Sequence, residues 1–131
     1  MICDLTSCKK WDVGNLFRSL LFDNENIRAM VGEHIYPVVA PENTFGDFII
    51  YFRQSYHKEL SKMGIYQDIV KMAVVVVSEN YDRSVELAEL IDSTLTGTFK
   101  SDDCSMDILL EDSTETFEDN KYIQTLVFVV K

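Results

Sequence analysis

Four consecutive valines, Val74 to Val77, sit inside the longer apolar stretch "YQDIVKMAVVVV", residues 66–77. A strand with one wet face alternates apolar and polar residues, whereas a continuous apolar run is dry on both faces. The end of "KYIQTLVFVV", residues 121–130, repeats the pattern. Two doubly dry strands need cover on both sides of whatever sheet they build. At 131 residues the chain has the length of one domain with a real core, and little left over for a second covering layer.

The remaining elements follow from period and punctuation. Leu16, Phe17, Leu20 and Leu21 fall on one helical face, and "FDNEN" interrupts the pattern. Asp23 or Asn24 can cap a second short helix carrying Ile27, Met30 and Val31, with Gly32 to end it. Pro37 and Pro41 limit "HIYPVVAPENTFGD" to a short edge strand or a loop, because proline has no N–H for a ladder. "DFIIYFRQSY", 47–56, reads as a strand with Phe48, Ile50 and Phe52 on one face and Ile49, Tyr51 and Arg53 on the other. "HKELSKMG", 57–64, reads as a long polar hairpin tip before the strand 66–77. A helix follows, capped by Asp82, with Leu87, Ala88, Ile91 and Leu95 as its stripe and Gly97 at its end. "SMDILLED" is a strand around Met106, Ile108 and Leu110, "STETFEDN" a turn, and 121–130 the last strand. The order α-β-β-β-α-β-β predicts an α+β domain, a mainly antiparallel four- to five-stranded sheet with helices on one face. The other face is then covered either by a partner subunit or by loops and the N-terminal arm with Trp11.

Composition excludes several classes. The net charge is −10, but eight of the 22 acids lie between Ser101 and Asn120 with no Lys or Arg among them. The other 14 acids face 12 bases, so a nearly neutral domain carries one acidic segment. Affinity for a phosphate backbone comes mostly from Lys and Arg, so specific nucleic-acid binding is not expected. No apolar run approaches the ~20 residues that span a bilayer, and "MICDLTSCKKWDVG" lacks the apolar core of a signal peptide, so a soluble intracellular chain is expected. Cys3, Cys8 and Cys104 form no CxxC pair and fit a reducing compartment. His34 and His57 stand alone, and there is no P-loop, GxGxxG, GxSxG or HExxH pattern. The expectation is a protein with no catalytic residues, no cofactor and no metal. "EDSTETFED" lacks the spacing and central glycine of an EF-hand loop, and a solvated acidic hairpin accounts for it.

Charge also suggests how copies could meet. The tip "SYHKELSKMG" is basic, through His57, Lys58 and Lys62, on an acidic protein, and it could dock on the acidic hairpin of a second copy. The interface candidates are Tyr56, His57, Lys58 and Lys62 within 54–66, Glu111, Asp112, Glu115, Glu118 and Asp119 within 111–120, and the exposed faces of strands 70–77 and 122–130.

"FDNENIRAMVGEHIYP" is the most distinctive part of the chain. With "LFRSLLFDNENIRAMVGEHIYPVVAPENTFGDFIIY", "VVVVSENYDRSVELAELIDSTLTG" and "ILLEDSTETFEDNKYIQTLVFVV" it resembles phage tail completion proteins, the tail terminators or tail-to-head joining proteins of long-tailed phages. The positions that carry the likeness are Leu21, Val31, Gly32, Ile35, Tyr36, Pro37, Ala40, Pro41, Ile49, Ile50 and Tyr51. It spans residues 14–130 and leaves 1–13 as an N-terminal extension. The resemblance implies a structural protein of a virion tail, assembled in the bacterial cytoplasm. Such a protein forms a ring, usually a hexamer, that caps the tail tube and contacts the head connector. The alternative from the residues alone is a small α+β binding module, monomeric or dimeric, that uses the open sheet face as a pocket.

Overall fold

The computed structural model describes residues 10–60, 64, 66–101 and 104–131. Helix α1 (Val13–Asp23) and helix α2 (Glu25–Val31) lead into strand β1 (Ile35–Pro37), and strands β2 (Phe48–Leu60) and β3 (Tyr66–Ser78) form a hairpin. Helix α3 (Tyr81–Leu95) precedes strands β4 (Gly97–Ser101), β5 (Cys104–Glu118) and β6 (Lys121–Val130). One six-stranded sheet has the order β1-β2-β3-β6-β5-β4. Only the β1–β2 pairing is parallel, Ile35 opposite Ile49, and the other four are antiparallel.

The sheet therefore has six strands where the sequence suggested four or five, and an order with one more strand after α3. Strand β4 was missed because "GTFKS" is short and opens on glycine. Gly97 does not end the helix. Thr96 is the C-cap, its N–H donating to the Asp92 carbonyl, and Gly97 begins the strand at φ 150°. The helix starts two residues earlier than Asp82 implied, with Asn80 as N-cap accepting from the Arg83 N–H. Both hairpins are also longer than expected. Strand β2 runs on through "HKEL" to Leu60, and "STETFE" is strand, leaving a two-residue turn at Asp119 and Asn120. Their φ values of 53° and 63° are those of a type I′ turn, whose twist matches the flanking strands.

The two doubly apolar strands are neighbours at the centre of the sheet, paired from Val70 opposite Val130 to Ser78 opposite Tyr122. One face, with Val70, Met72, Val74, Val76, Leu126, Phe128 and Val130, packs under all three helices in a single cluster with Phe17, Leu21, Ile27, Leu87 and Ile91. Phe17 meets Phe128 edge-on, ring centroids 5.8 Å apart. Asn24 joins the helices: its Oδ1 accepts from the N–H groups of Asn26 and Ile27 and its Nδ2 donates to Thr94 of α3 at 2.8 Å.

The opposite face carries Ile50, Phe52, Val75, Ile123, Val127 and Val129, all partly exposed. Trp11 does not cover it. The indole stacks on Tyr56, 4.2 Å between centroids, with the Arg53 guanidinium 4.2 Å from the Trp11 ring. Tyr56 pairs with Val70, so this stack belongs to the helix side. Phe48, Ile69, Ala73 and Val77 on the same face are buried, so its exposed apolar surface lies at the positions between them.

Truncating Phe128 to Ala should cost about 3–5 kcal/mol of unfolding free energy in urea titrations, since the void lies under three packed helices. Asn24→Ala, which removes a cap and an inter-helix bond together, should cost about 1–2 kcal/mol in the same assay.

Candidate assembly interface

The sheet register separates the two charged segments that the sequence singled out. Tyr56, Val70, Val130 and Ile108 lie in one row across four strands. Lys58, opposite Asp68, projects beyond that row on a two-stranded arm. The Asp119–Asn120 turn is at the other end of β6, about 31 Å from that row at the usual rise of ~3.4 Å per residue. A basic arm and an acidic tip thus occupy opposite ends of the sheet.

The individual side chains differ in how free they are. Tyr56 is anchored: its hydroxyl donates to Asp68 at 2.8 Å, and its ring is sandwiched with Trp11. That hydrogen bond, then burial and the negative charge of Asp68, raise its phenol pKa above the ordinary value, against the opposing charge of Arg53. His57 Nε2 lies 3.6 Å from Glu59, both exposed. Lys58 is exposed, and Lys62 lies outside the described residues. On β5, Glu111 is held by Lys71 at 2.9 Å on the open face. Asp112 accepts from the Ser113 N–H at 2.9 Å. Glu115 accepts from the Tyr81 hydroxyl at 3.1 Å and from Gln124 at 3.0 Å, so it ties α3 to the sheet, and it raises the Tyr81 phenol pKa. Glu118 and Asp119 are exposed at the turn. The expected acidic turn is thus an acidic strand, its carboxylates spread along β5. No group of three or more His, Cys, Asp or Glu side chains among the described residues is placed to hold a metal ion.

Three surface features escaped the sequence reading. The first is a pair of open sheet edges. Strand β4 pairs with β5 only from Cys104 to Ile108, and β1 pairs with β2 only from Ile49 to Tyr51. Among the described residues, nothing pairs with the outer edge of 109–118 or of 52–60. The second is the loop 38–46, where Val38 and Phe45 are 71% and 79% exposed. Val38 has φ 66°, an uncommon and strained conformation for a β-branched residue. The loop is pinned at its end by Asp47, which accepts from Ser78 at 2.8 Å and pairs with Arg83 at 2.6 Å. The third is a shallow depression of about 400 Å³ on the open face, between His57, Ile69, Lys71, Leu109 and Glu111. No described helix is long and apolar enough to cross a membrane.

No family model matches the sequence, and no curated protein does. The fold, however, is known. A chain from the structure of the virion of a native gene transfer agent (GTA) particle superposes with a TM-score of 0.71 over 87% of this chain and 89% of that one. Sequence identity is 13%, so the likeness is one of fold.

Raised by its bond to Asp68, Tyr56 stabilises the fold fully below pH ~10, and that contribution is lost as pH rises through its raised folded-state pKa. In an alkaline NMR titration of ring-labelled tyrosine, Asp68→Asn should move the Tyr56 midpoint back down towards 10. An unchanged midpoint would show that the hydrogen bond does not form.

Proposed function

We propose that this chain is a structural protein of a phage-like virion, acting at the tail as a ring that caps the tube and joins it to the head connector. The observation that carries the reading is the match of nearly the whole fold to a chain of a gene transfer agent virion. The sequence resemblance to tail completion proteins across 14–130 supports the more specific role.

The physical features are compatible with it. A ring needs a heterologous contact, in which two different patches of one subunit meet. Here the open edges differ in charge and lie on opposite sides of the sheet. The apolar loop at Val38, Val39 and Phe45 supplies a separate patch for a tube or connector protein, all three side chains being mostly exposed. A passage for DNA works best without a positive lining, and a net charge of −10 suits that role. In this reading the protein performs no catalysis and acts by assembly alone, binding to itself, to the tube protein and to connector proteins, in the host cytoplasm and then in the virion tail.

Polymerisation of the tube protein from the same phage tests the role directly. Added chain should bind tube ends and arrest growth, giving short tubes with a ring at one end in electron micrographs. Tubes of unchanged length with bare ends would overturn the capping role.

A further inference from the structure

We infer that copies of this chain join head to tail as one continuous sheet, the free edge of β2 in one copy pairing antiparallel with the free edge of β5 in the next. The inference deepens the ring reading and rests on it only for closure into a ring.

Backbone geometry supplies the first argument. Asp107 and Lys131 exchange both backbone hydrogen bonds at 3.0 Å. Antiparallel alternation from that pair and from the Glu118–Lys121 turn leaves the groups of Ser113, Glu115 and Phe117 facing outward. The Ser113 N–H donates to the side chain of its neighbour Asp112 at 2.9 Å, which suits an N–H turned away from β6. On β2, Ile49 donates to His34 and Tyr51 accepts from Val38, so these residues face β1. The bulge between Arg53 and Ser55 then shifts the alternation, and Tyr56, Lys58 and Leu60 face outward. Both free edges therefore offer alternate residues whose side chains lie on the helix side. They interlock in phase with every helix on the same side of the joint sheet. Strands β2 and β5 run in opposite directions within the sheet, so a neighbour rotated about an axis along the strands presents an antiparallel edge.

Chemistry supplies the second. An open edge ten residues long is an aggregation hazard unless it is blocked or used. Lysine commonly blunts such edges, yet 109–118 contains no base. It carries Glu111, Asp112, Glu115 and Glu118 instead. The free part of β2 carries Arg53, His57 and Lys58 against one acid, Glu59. Opposite charge across an interface fixes partner and register. Aligning the centres of the two segments puts Tyr56 opposite Ser113 with both side chains on the helix side, and His57 beside Asp112 with both on the open face.

Geometry supplies the third. The free segments lie at opposite ends of the sheet, so pairing them offsets each copy by about five residues, or ~17 Å. Over a six-stranded sheet roughly 29 Å wide, that corresponds to a strand tilt of about 30°, close to the tilts of closed barrels. An offset of this kind lets a staggered edge contact close instead of climbing into a filament.

Sedimentation velocity on the full chain, across a concentration series and at low and moderate salt, tests the pairing with two variants. Ser113→Pro removes an outward N–H that takes no part in the β5–β6 ladder. Lys58→Glu reverses a charge on the exposed arm. The wild type should self-associate more weakly as salt rises, and each variant should weaken association at least about tenfold, with circular dichroism and melting unchanged. Should Ser113→Pro disturb the fold, Lys58→Glu decides alone. Variants that associate like the wild type would overturn edge pairing while leaving a ring built through another surface. A wild type that stays monomeric at every concentration would overturn self-pairing, and the capping role would then stand or fall on the tube experiment.

Discussion

The pairing of β3 with β6 is the contact on which the rest of the structure depends. It runs from Val70–Val130 to Ser78–Tyr122 through the middle of the sheet, apolar on both faces for most of its length. Its helix side is sealed, Phe128 against Phe17 and Val74 and Val76 beneath the helices. Its other side leaves Val75, Val127 and Val129 partly exposed. A central ladder of this kind resists slippage, because a one-residue shift would exchange the two faces of each strand and strip the helices of their floor. It also leaves the sheet with an apolar surface and two staggered open edges, the features on which the assembly reading turns.

Polar side chains hold the periphery to that centre. Gln124, buried on β6, donates to Ser84 of α3 and to Glu115 of β5. Asp47 links the strained loop after β1 to β3 and α3 through Ser78 and Arg83. These contacts fix where the exposed loop and the acidic strand sit relative to the core. They also explain why only part of the charge found in the sequence is available to a partner: Glu111 and Glu115 have internal partners, while Lys58, Glu118 and Asp119 are exposed.

Much of the fold was legible because its signals are local. The two-part first helix, the cap at Asn24, the stop at Gly32 and the edge position of β1 each follow from residues within one turn of the feature. The two misread hairpins share one cause. "HKEL" and "STETFE" are polar, and polarity was read as loop. Both are strands beyond the covered part of the sheet, wet on both faces, so the period-2 signal disappears. Thr114, Thr116 and Phe117 were strand formers within that stretch, and Asp119–Asn120 was its turn signal. Of the candidate residues, His57 and Lys58 lie in strand β2 where a hairpin loop was expected, Tyr56 is an anchor and Glu111 lies far from the acidic tip.

By itself the sequence determined that two strands are dry on both faces, that acid is concentrated in one segment, and that the helices are amphipathic, because each is a property of residues close together in the chain. Only the tertiary structure decided that the dry strands are neighbours, that β1 and β4 stop short and leave two edges open, and that the basic arm and the acidic turn lie at opposite ends of the sheet. Strand order and offset are set by packing between segments up to a hundred residues apart, where the whole hydrophobic face must close at once, and no local pattern records that outcome.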